Sequence, residues 1–190
     1  QNMPQDNIKR AIARGTGGTG EKEIEELRYE GYGPHGLAVV FDAATDNRNR
    51  TAGEFRFMFT KHGGTLGETG TVGWMFDPVG ILEVDGQGKS EDALTEAALV
   101  EGVVDLEYGE PVSFIYTEPA RLAAARDALH AGGIKISDAY LGMRPKQKVA
   151  PEGRELSDCL AFLDVLDDHE DVQHVFSNLE VSDAAMEALA

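Results

Sequence analysis

The 190-residue sequence is 42% apolar and 27% charged, a composition typical of a globular protein with one or two domains and not of a disordered chain. Its formal net charge of −17 opposes the binding of phosphate backbones by the molecule as a whole. No apolar run reaches the roughly 18 residues of a membrane-spanning helix, no secretory signal is evident, and the single Cys159 excludes an internal disulfide, so we expect a cytoplasmic protein that does not contact membranes.

The first predicted element is a short helix that begins at Pro4 and ends at Gly15, because proline is favoured in the first turn of a helix and glycine just beyond its end. Three basic residues lie on its polar side: Lys9, Arg10 and Arg14. Residues 15–20 (GTGGTG) have the composition of a flexible linker. Because the sequence begins at Gln1 without an initiator methionine, we interpret residues 1–20 as the end of an N-terminal helical domain and its linker.

Three strands are predicted in the next part of the chain. The run at 29–32 (YEGY) and the apolar run at 37–43, joined by the turn-forming residues 33–36 (GPHG), indicate two strands with a turn between them. Alternation of apolar residues at 72–76 (VGWMF) predicts a third strand.

A helix is predicted between the second and third of these strands. Its N-cap is expected at Thr45 or Asp46, and its end at Gly63-Gly64. Residues at helical spacing are expected to face the core: Ala52, Phe55 and Phe59. This region therefore has the order β-β-α-β.

The pattern restarts near Gly80. The predicted elements are a strand at 81–85, a helix from Ser90, strands at 104–108 and 112–117, a helix at 119–131 and a strand at 134–141. The order βαββαβ is that of a ferredoxin-like plait, in which two helices cover one face of an antiparallel sheet.

The end of the chain is predicted to rejoin the first unit. A polar connector at 144–154 is followed by a helix, marked by Leu156 and Leu166, and by a strand at 172–179. One helix and one strand cannot form a sheet alone. We therefore predict an α+β fold with two ferredoxin-like α/β plait domains, the second inserted into the first, preceded by the remnant of a helical N-terminal domain. The predicted parts are residues 1–20, the discontinuous domain 21–79 plus 152–190, and the inserted domain 80–151.

Patterns of catalytic and cofactor-binding residues are missing from the sequence. Residues 83–90 (EVDGQGKS) end like a phosphate-binding loop, but Glu83 stands where that motif requires glycine. The five histidines lack metal-ligand spacing, and Cys159 lies on the apolar side of a predicted helix. We therefore expect a protein that is not an enzyme, with no catalytic residues, no metal site and no cofactor.

The start of the predicted helix at 45–51 (TDNRNRT) is the best candidate for a binding site. Arginine forms bidentate contacts with phosphate, asparagine can read base edges, and a helix N-terminus favours anions. The alternative is a capped, solvated helix start with no ligand, and the chemistry of the residues does not decide between the two. With the first helix, the candidate nucleic-acid-binding residues are Lys9, Arg10, Arg14, Asn47, Arg48, Asn49, Arg50, Arg56 and Lys61.

Charge is distributed unevenly along the chain. Residues 1–62 contain nine lysines and arginines against nine acidic residues, whereas residues 63–190 contain eight against twenty-five. The whole net charge of −17 therefore belongs to residues 63–190, and any basic surface is expected near the N-terminus.

Residues 29–80 closely resemble the signature region of the YebC family. The segments YEGYGP, TDNRNRT, KHGG and GETG-x-V-x-W-M-F occur there in the family's order, and residues 2–17 resemble the preceding segment. The resemblance implies a basic helical N-terminal domain, most of it absent here, followed by two plait-like domains, one inserted in the other. The family includes bacterial proteins described as DNA-binding transcriptional regulators and the mitochondrial translational activator of cytochrome oxidase subunit I.

The resemblance implies a non-enzymatic regulator of gene expression that binds DNA, with a translation factor acting on the ribosome and RNA as the alternative. Most of the affinity for nucleic acid is expected of the full-length protein, and this chain alone is expected to bind nucleic acid weakly. The acidic plait is expected to contact a protein partner or to space the contacts, and a monomer is favoured. A plait that senses a small molecule is a further alternative, although the sequence offers no convergent polar pocket.

Overall fold

A computed structural model describes residues 23–85, 88–182 and 184–185. The predicted helix and linker at 1–20, with Lys9, Arg10 and Arg14, lie outside the described residues. In chain order the elements are β1 (Glu25–Tyr32), β2 (Ala38–Thr45), α1 (Arg48–Lys61), β3 (Thr65–Leu66), β4 (Phe76–Asp85), α2 (Glu91–Ala97), β5 (Val103–Glu107), β6 (Val112–Thr117), α3 (Leu122–Ala131), β7 (Ile136–Pro145), α4 (Gly153–Asp167) and β8 (Val172–Ser177).

The first sheet has four antiparallel strands in the order β3-β1-β2-β8. Helices α1 and α4 supply side chains that pack on one face of it around a phenylalanine cluster. The ring of Phe41 on β2 meets Phe55 of α1 at 4.8 Å, and Phe59 of α1 meets Phe162 of α4 at 4.8 Å. Edge-to-face rings at this separation add to the stabilisation that burial of their apolar area provides. The cluster therefore fixes α1 firmly to the sheet.

Helix α1 begins slightly later than predicted. Its N-cap is Asn47, whose side chain accepts a hydrogen bond from the backbone N–H of Arg50, and not Thr45 or Asp46. Thr51 is buried with Phe55 and Phe59, whereas the predicted Ala52 is only half-buried. Thr51 faces inward because its hydroxyl donates a hydrogen bond to Asp171.

The strand predicted at 72–76 is wrong. Residues Gly73–Met75 form a 3₁₀ turn, and Phe76 begins β4, which belongs to the second sheet. The carboxylate of Glu30 explains the difference, because it accepts hydrogen bonds from the backbone N–H groups of Gly70, Val72 and Gly73. Those groups are therefore unavailable to a sheet ladder.

The second sheet has the strand order β5-β6-β4-β7, antiparallel throughout, which is the ferredoxin-like order. Helices α2 and α3 contribute to the core on one face of it. The fully buried residues of that core are Leu82, Val84, Leu94, Ile115, Ala125 and Leu129. Strand β8 then returns beside β2 in the first sheet, so the predicted α+β fold with one plait inserted in the other is confirmed.

The opposite faces of the two sheets pack against each other. Val40 and Phe176 of the first sheet share an apolar cluster with Val79 and Ile81 of β4. A Cβ atom at Gly142 of β7 would lie 2.8 Å from Phe176 Cε1 of β8, so the close approach of the sheets here requires glycine. Both helical layers therefore lie on the outside of the molecule, and α1 presents its remaining face to solvent.

Candidate nucleic-acid interface

The start of α1 is joined to the start of β8 by a hydrogen-bond network. The buried hydroxyl of Thr51 donates to Asp171 Oδ2 at 2.6 Å, and Thr45 Oγ1 lies 2.7 Å from Thr51 Oγ1. The backbone N–H of Ala44 also donates to the carbonyl of Asp171. Segments more than 100 residues apart in sequence thus hold the N-terminus of α1 in place.

Arg50 is part of this network. Its guanidinium donates to Glu170 at 3.2 Å and to Asp171 at 3.0 Å, and it also lies within ion-pair distance of Asp46 and Glu54. The hydrogen bond to Glu170, followed by the charge of Asp171, raises the pKa of Arg50 above its ordinary value. A phosphate would have to compete with these carboxylates for Arg50, so this arginine mainly anchors the helix.

Glu54, His169 and Asp171 place three potential metal-ligand atoms within 4.8 Å of one another. Each residue already has a protein partner. The backbone N–H of Asp171 donates to His169 Nδ1, so in the neutral ring Nε2 carries the hydrogen and donates to Glu54 at 3.1 Å. Asp171 in turn accepts from Arg50 and Thr51. These contacts form a structural ion-pair network around the helix start.

The outward side of α1 differs from this network. Arg48, Asn49, Arg56 and Lys61 are exposed, and among the described residues no side chain forms an ion pair with any of these three basic residues. Burial chiefly raises the pKa of Tyr29, while Arg48 and Arg56 both lower it. The two arginines are eight residues apart in α1, which is about 12 Å along the helix axis. They leave two guanidinium groups available to an external anion.

Two residues complete this face. The side chain of Phe57 is 67% exposed, and a Cβ atom placed on Gly53 would meet nothing within 4 Å. Residues three and four apart are neighbours on a helix, so one continuous strip is formed by Asn49, Gly53, Arg56, Phe57, Lys61 and the exposed Thr60. Arg48 lies next to Asn49 at the N-terminal end of this strip. We define the α1 surface as Arg48, Asn49, Gly53, Arg56, Phe57, Thr60 and Lys61.

The predicted site residues thus separate into groups. Asn47 serves as the helix cap and Arg50 is paired internally, whereas Arg48, Asn49, Arg56 and Lys61 are brought together on the α1 surface. Phe57 and Gly53 were missed by sequence reasoning. The available signal was periodicity, because Phe57 falls out of phase with the buried residues Thr51, Phe55 and Phe59.

A cleft between the two sheets is the place where a small-molecule site, the further alternative, would be expected. Its volume of about 220 Å³ is below the roughly 300 Å³ at which ligand pockets begin. Its polar groups are already engaged, since Glu107 accepts from Tyr116 at 2.8 Å and from Lys148 at 3.0 Å. These contacts leave little for a ligand to satisfy. Within the part of the chain that the structure describes, no helix is long and apolar enough to cross a membrane.

The fold and this surface define an α+β protein of two plait domains, one inserted in the other, with a basic helix face exposed. Residues 24–179 match the family model described as the second and third domain of TACO1/YebC. The chain therefore belongs to the TACO1/YebC family.

Relatives and a solved structure agree with this assignment. The chain is 49% identical over 190 residues to a probable transcriptional regulatory protein of Herpetosiphon aurantiacus, covering all of this chain and 75% of that protein. It is 45% identical over 189 residues to one of Trichlorobacter lovleyi, covering 100% of this chain and 76% of that protein. The crystal structure of a conserved hypothetical protein from Aquifex aeolicus matches with a TM-score of 0.87 at 40% identity, over 96% of this chain and 75% of that one.

Proposed function

We propose that this chain is a non-enzymatic regulator of gene expression that binds nucleic acid through the α1 surface. The names of its relatives, probable transcriptional regulatory proteins, support a regulatory role. The observation that carries the binding proposal is that Arg48 and Arg56 of α1 are exposed without an ion pair in the described residues, whereas Arg50, two residues from Arg48, is held by carboxylates.

The chemistry of this surface suits a polyanion. Guanidinium groups make short, bidentate bonds to phosphate, and an asparagine such as Asn49 can donate and accept at a base edge. Gly53 lacks a side chain and allows a ligand close to the helix backbone. The net charge of −17 repels nucleic acid at long range, so we expect binding to depend on this local surface and to weaken steeply with salt.

DNA is the first target that we propose, because the relatives are named as transcriptional regulators and a helix fits the major groove. The second is RNA on the ribosome. The exposed ring of Phe57 favours this second target, since sequence-tolerant stacking on aromatic side chains is typical of proteins that bind unpaired bases.

Parallel binding assays of the 190-residue chain test the proposal. Gel shifts with duplex DNA and co-sedimentation with ribosomes should be run at equal salt, from low salt up to physiological ionic strength. We expect retention on at least one target and loss of binding as salt rises. Association with ribosomes alone would reject DNA as the target, and the absence of binding to both at low salt would reject the proposal.

A further inference from the structure

A buried carboxylate shapes the loop between β3 and β4. Glu30 on β1 is only 7% exposed, and its oxygens accept backbone N–H bonds of 2.6 to 2.7 Å from Gly70, Val72 and Gly73. A Cβ atom on Gly73 would lie 3.2 Å from Glu30 Oε2, so this close wrapping favours glycine. The loop is therefore fixed in one conformation at the residue that precedes Trp74.

Trp74 is held rigidly but remains largely exposed. Its ring Nε1–H donates to the carbonyl of Thr71 at 3.2 Å, and its side chain is nevertheless 66% exposed. With the only polar group of the indole already satisfied, the part of the ring left for a ligand is its apolar π surface.

A lysine distant in sequence contacts the backbone of Trp74. Lys146 Nζ donates to the backbone carbonyl of Trp74 at 2.9 Å, and the backbone N–H of Lys146 donates to the carbonyl of Met75. Its side chain is 50% exposed and lies 3.6 Å from Asp77, an ion pair at the surface that contributes little in water. The fold thus brings an ammonium group to the backbone of the residue that carries the exposed indole, 72 residues away in the sequence.

We propose that Trp74 and Lys146, the Trp74 platform, bind one unpaired nucleotide, with the base stacked on the indole and its phosphate near the ammonium group. This inference rests on the proposed nucleic-acid function and adds a contact outside the α1 surface. Base-on-aromatic stacking beside a cation is the general way in which proteins hold single strands. Unpaired RNA and single-stranded DNA share this chemistry.

The surroundings favour a base over a protein partner. A tryptophan that anchors a protein interface lies within a larger apolar patch. Here the exposed Lys146 contacts the backbone carbonyl of Trp74 and pairs with the exposed Asp77, and Thr71 and Gly73 are small neighbours in the chain. A single flat apolar surface with a charged rim matches one base in size and chemistry.

Because Trp74 is the sole tryptophan of the chain, its fluorescence reports on the platform directly. The 190-residue chain would be titrated with single-stranded RNA, single-stranded DNA and a duplex of matched length. We expect saturable quenching by the single strands and weak or no quenching by the duplex. Equal quenching by the duplex would overturn the assignment to an unpaired base. Stronger quenching by one of the two single strands would show whether the platform binds RNA or single-stranded DNA.

Variants separate the platform from the α1 surface, with affinity measured by anisotropy of a labelled single strand. Trp74→Ala should weaken binding by about fivefold to a hundredfold, the range of one stacking contact, and Trp74→Phe should restore much of it. Lys146→Ala should lower the salt slope by about 0.7. Leu99→Ala and Lys135→Ala, which alter an exposed apolar residue and an exposed lysine elsewhere, serve as controls.

The outcomes distinguish the two proposals. If Arg48→Ala/Arg56→Ala reduces affinity while Trp74→Ala and Lys146→Ala bind like the parent, the platform is rejected and the α1 surface stands. If the unaltered chain binds no nucleic acid, both proposals fail. If peptides quench Trp74 and nucleic acids do not, the platform is a protein contact and the nucleotide assignment is rejected.

Discussion

Replacing Glu30 with alanine is expected to lower the free energy of unfolding by about 3 kcal/mol, because hydrogen bonds to a buried charged group contribute roughly 1.5 to 3 kcal/mol each and buried donors left without a partner are costly. Three backbone N–H groups would lose their acceptor, and Val72 lies in the apolar cluster between the sheets. Urea unfolding measures the change. A loss below about 1 kcal/mol, the contribution of one ordinary hydrogen bond, would contradict the role given to Glu30.

The same carboxylate should make stability depend on acid pH. Burial by itself raises the pKa of Glu30. The backbone N–H groups of the loop and the charge of Arg28 lower the pKa by more than burial raises it, so the net pKa lies below the ordinary value of 4.5. A lowered pKa in the folded state means that the stabilisation is present above the unfolded pKa and is lost as pH falls through the folded pKa. We expect Glu30→Gln to remove this contribution, so the difference in stability from the parent should shrink below about pH 4.5.

Replacing Arg48 and Arg56 together with alanine is the second large expected effect. If each arginine contacts one phosphate, affinity for duplex DNA should fall roughly a hundredfold or more, since each charge-assisted hydrogen bond contributes about 1.5 to 3 kcal/mol and two are lost. The slope of log K against log salt should become shallower by about 1.8, or by about 1.4 for a single strand. Both side chains are exposed, so stability should stay within about 0.5 kcal/mol of the parent.

A charge-matched control separates local contact from overall charge. Arg121→Ala/Arg126→Ala removes two positive charges from the inserted domain, where each arginine is half-exposed and paired with an acidic residue. We expect this variant to bind nucleic acid nearly as the parent does. Equal losses from both pairs would show that net charge, and not the α1 surface, governs binding.

Most of the fold could be predicted from the sequence because the local patterns agree with one another. The βαββαβ order of the inserted domain follows from strand alternation and helix periodicity, and the return of β8 to the first sheet follows from the inability of a lone helix and strand to form a sheet. The choice of β2 as its partner had no signal in the sequence. The strand predicted at 72–76 failed because its apolar alternation is real but its backbone N–H groups face Glu30. A side chain 42 residues upstream leaves no local signal in that segment.

The candidate site could be predicted from the sequence only in part, because contacts between residues distant in sequence decide which of its side chains are free. The arginines of TDNRNR look alike in sequence, but Glu170 and Asp171, about 120 residues away, engage Arg50 and leave Arg48 exposed. Lys146 and Trp74 are likewise joined only by the fold. Tertiary contacts therefore decide which polar residues are structural and which remain available to a ligand.

Photo-cross-linking of bound nucleic acid, followed by mapping of the modified peptides, tests the central claim most directly. The 190-residue chain would be cross-linked to the target that the binding assays identify, and each modified residue located by mass spectrometry. We predict cross-links within residues 48–61, centred on the exposed Phe57, and their loss in Arg48→Ala/Arg56→Ala. Cross-links that leave residues 48–61 unmodified and lie only in the inserted domain would contradict nucleic-acid binding through the α1 surface.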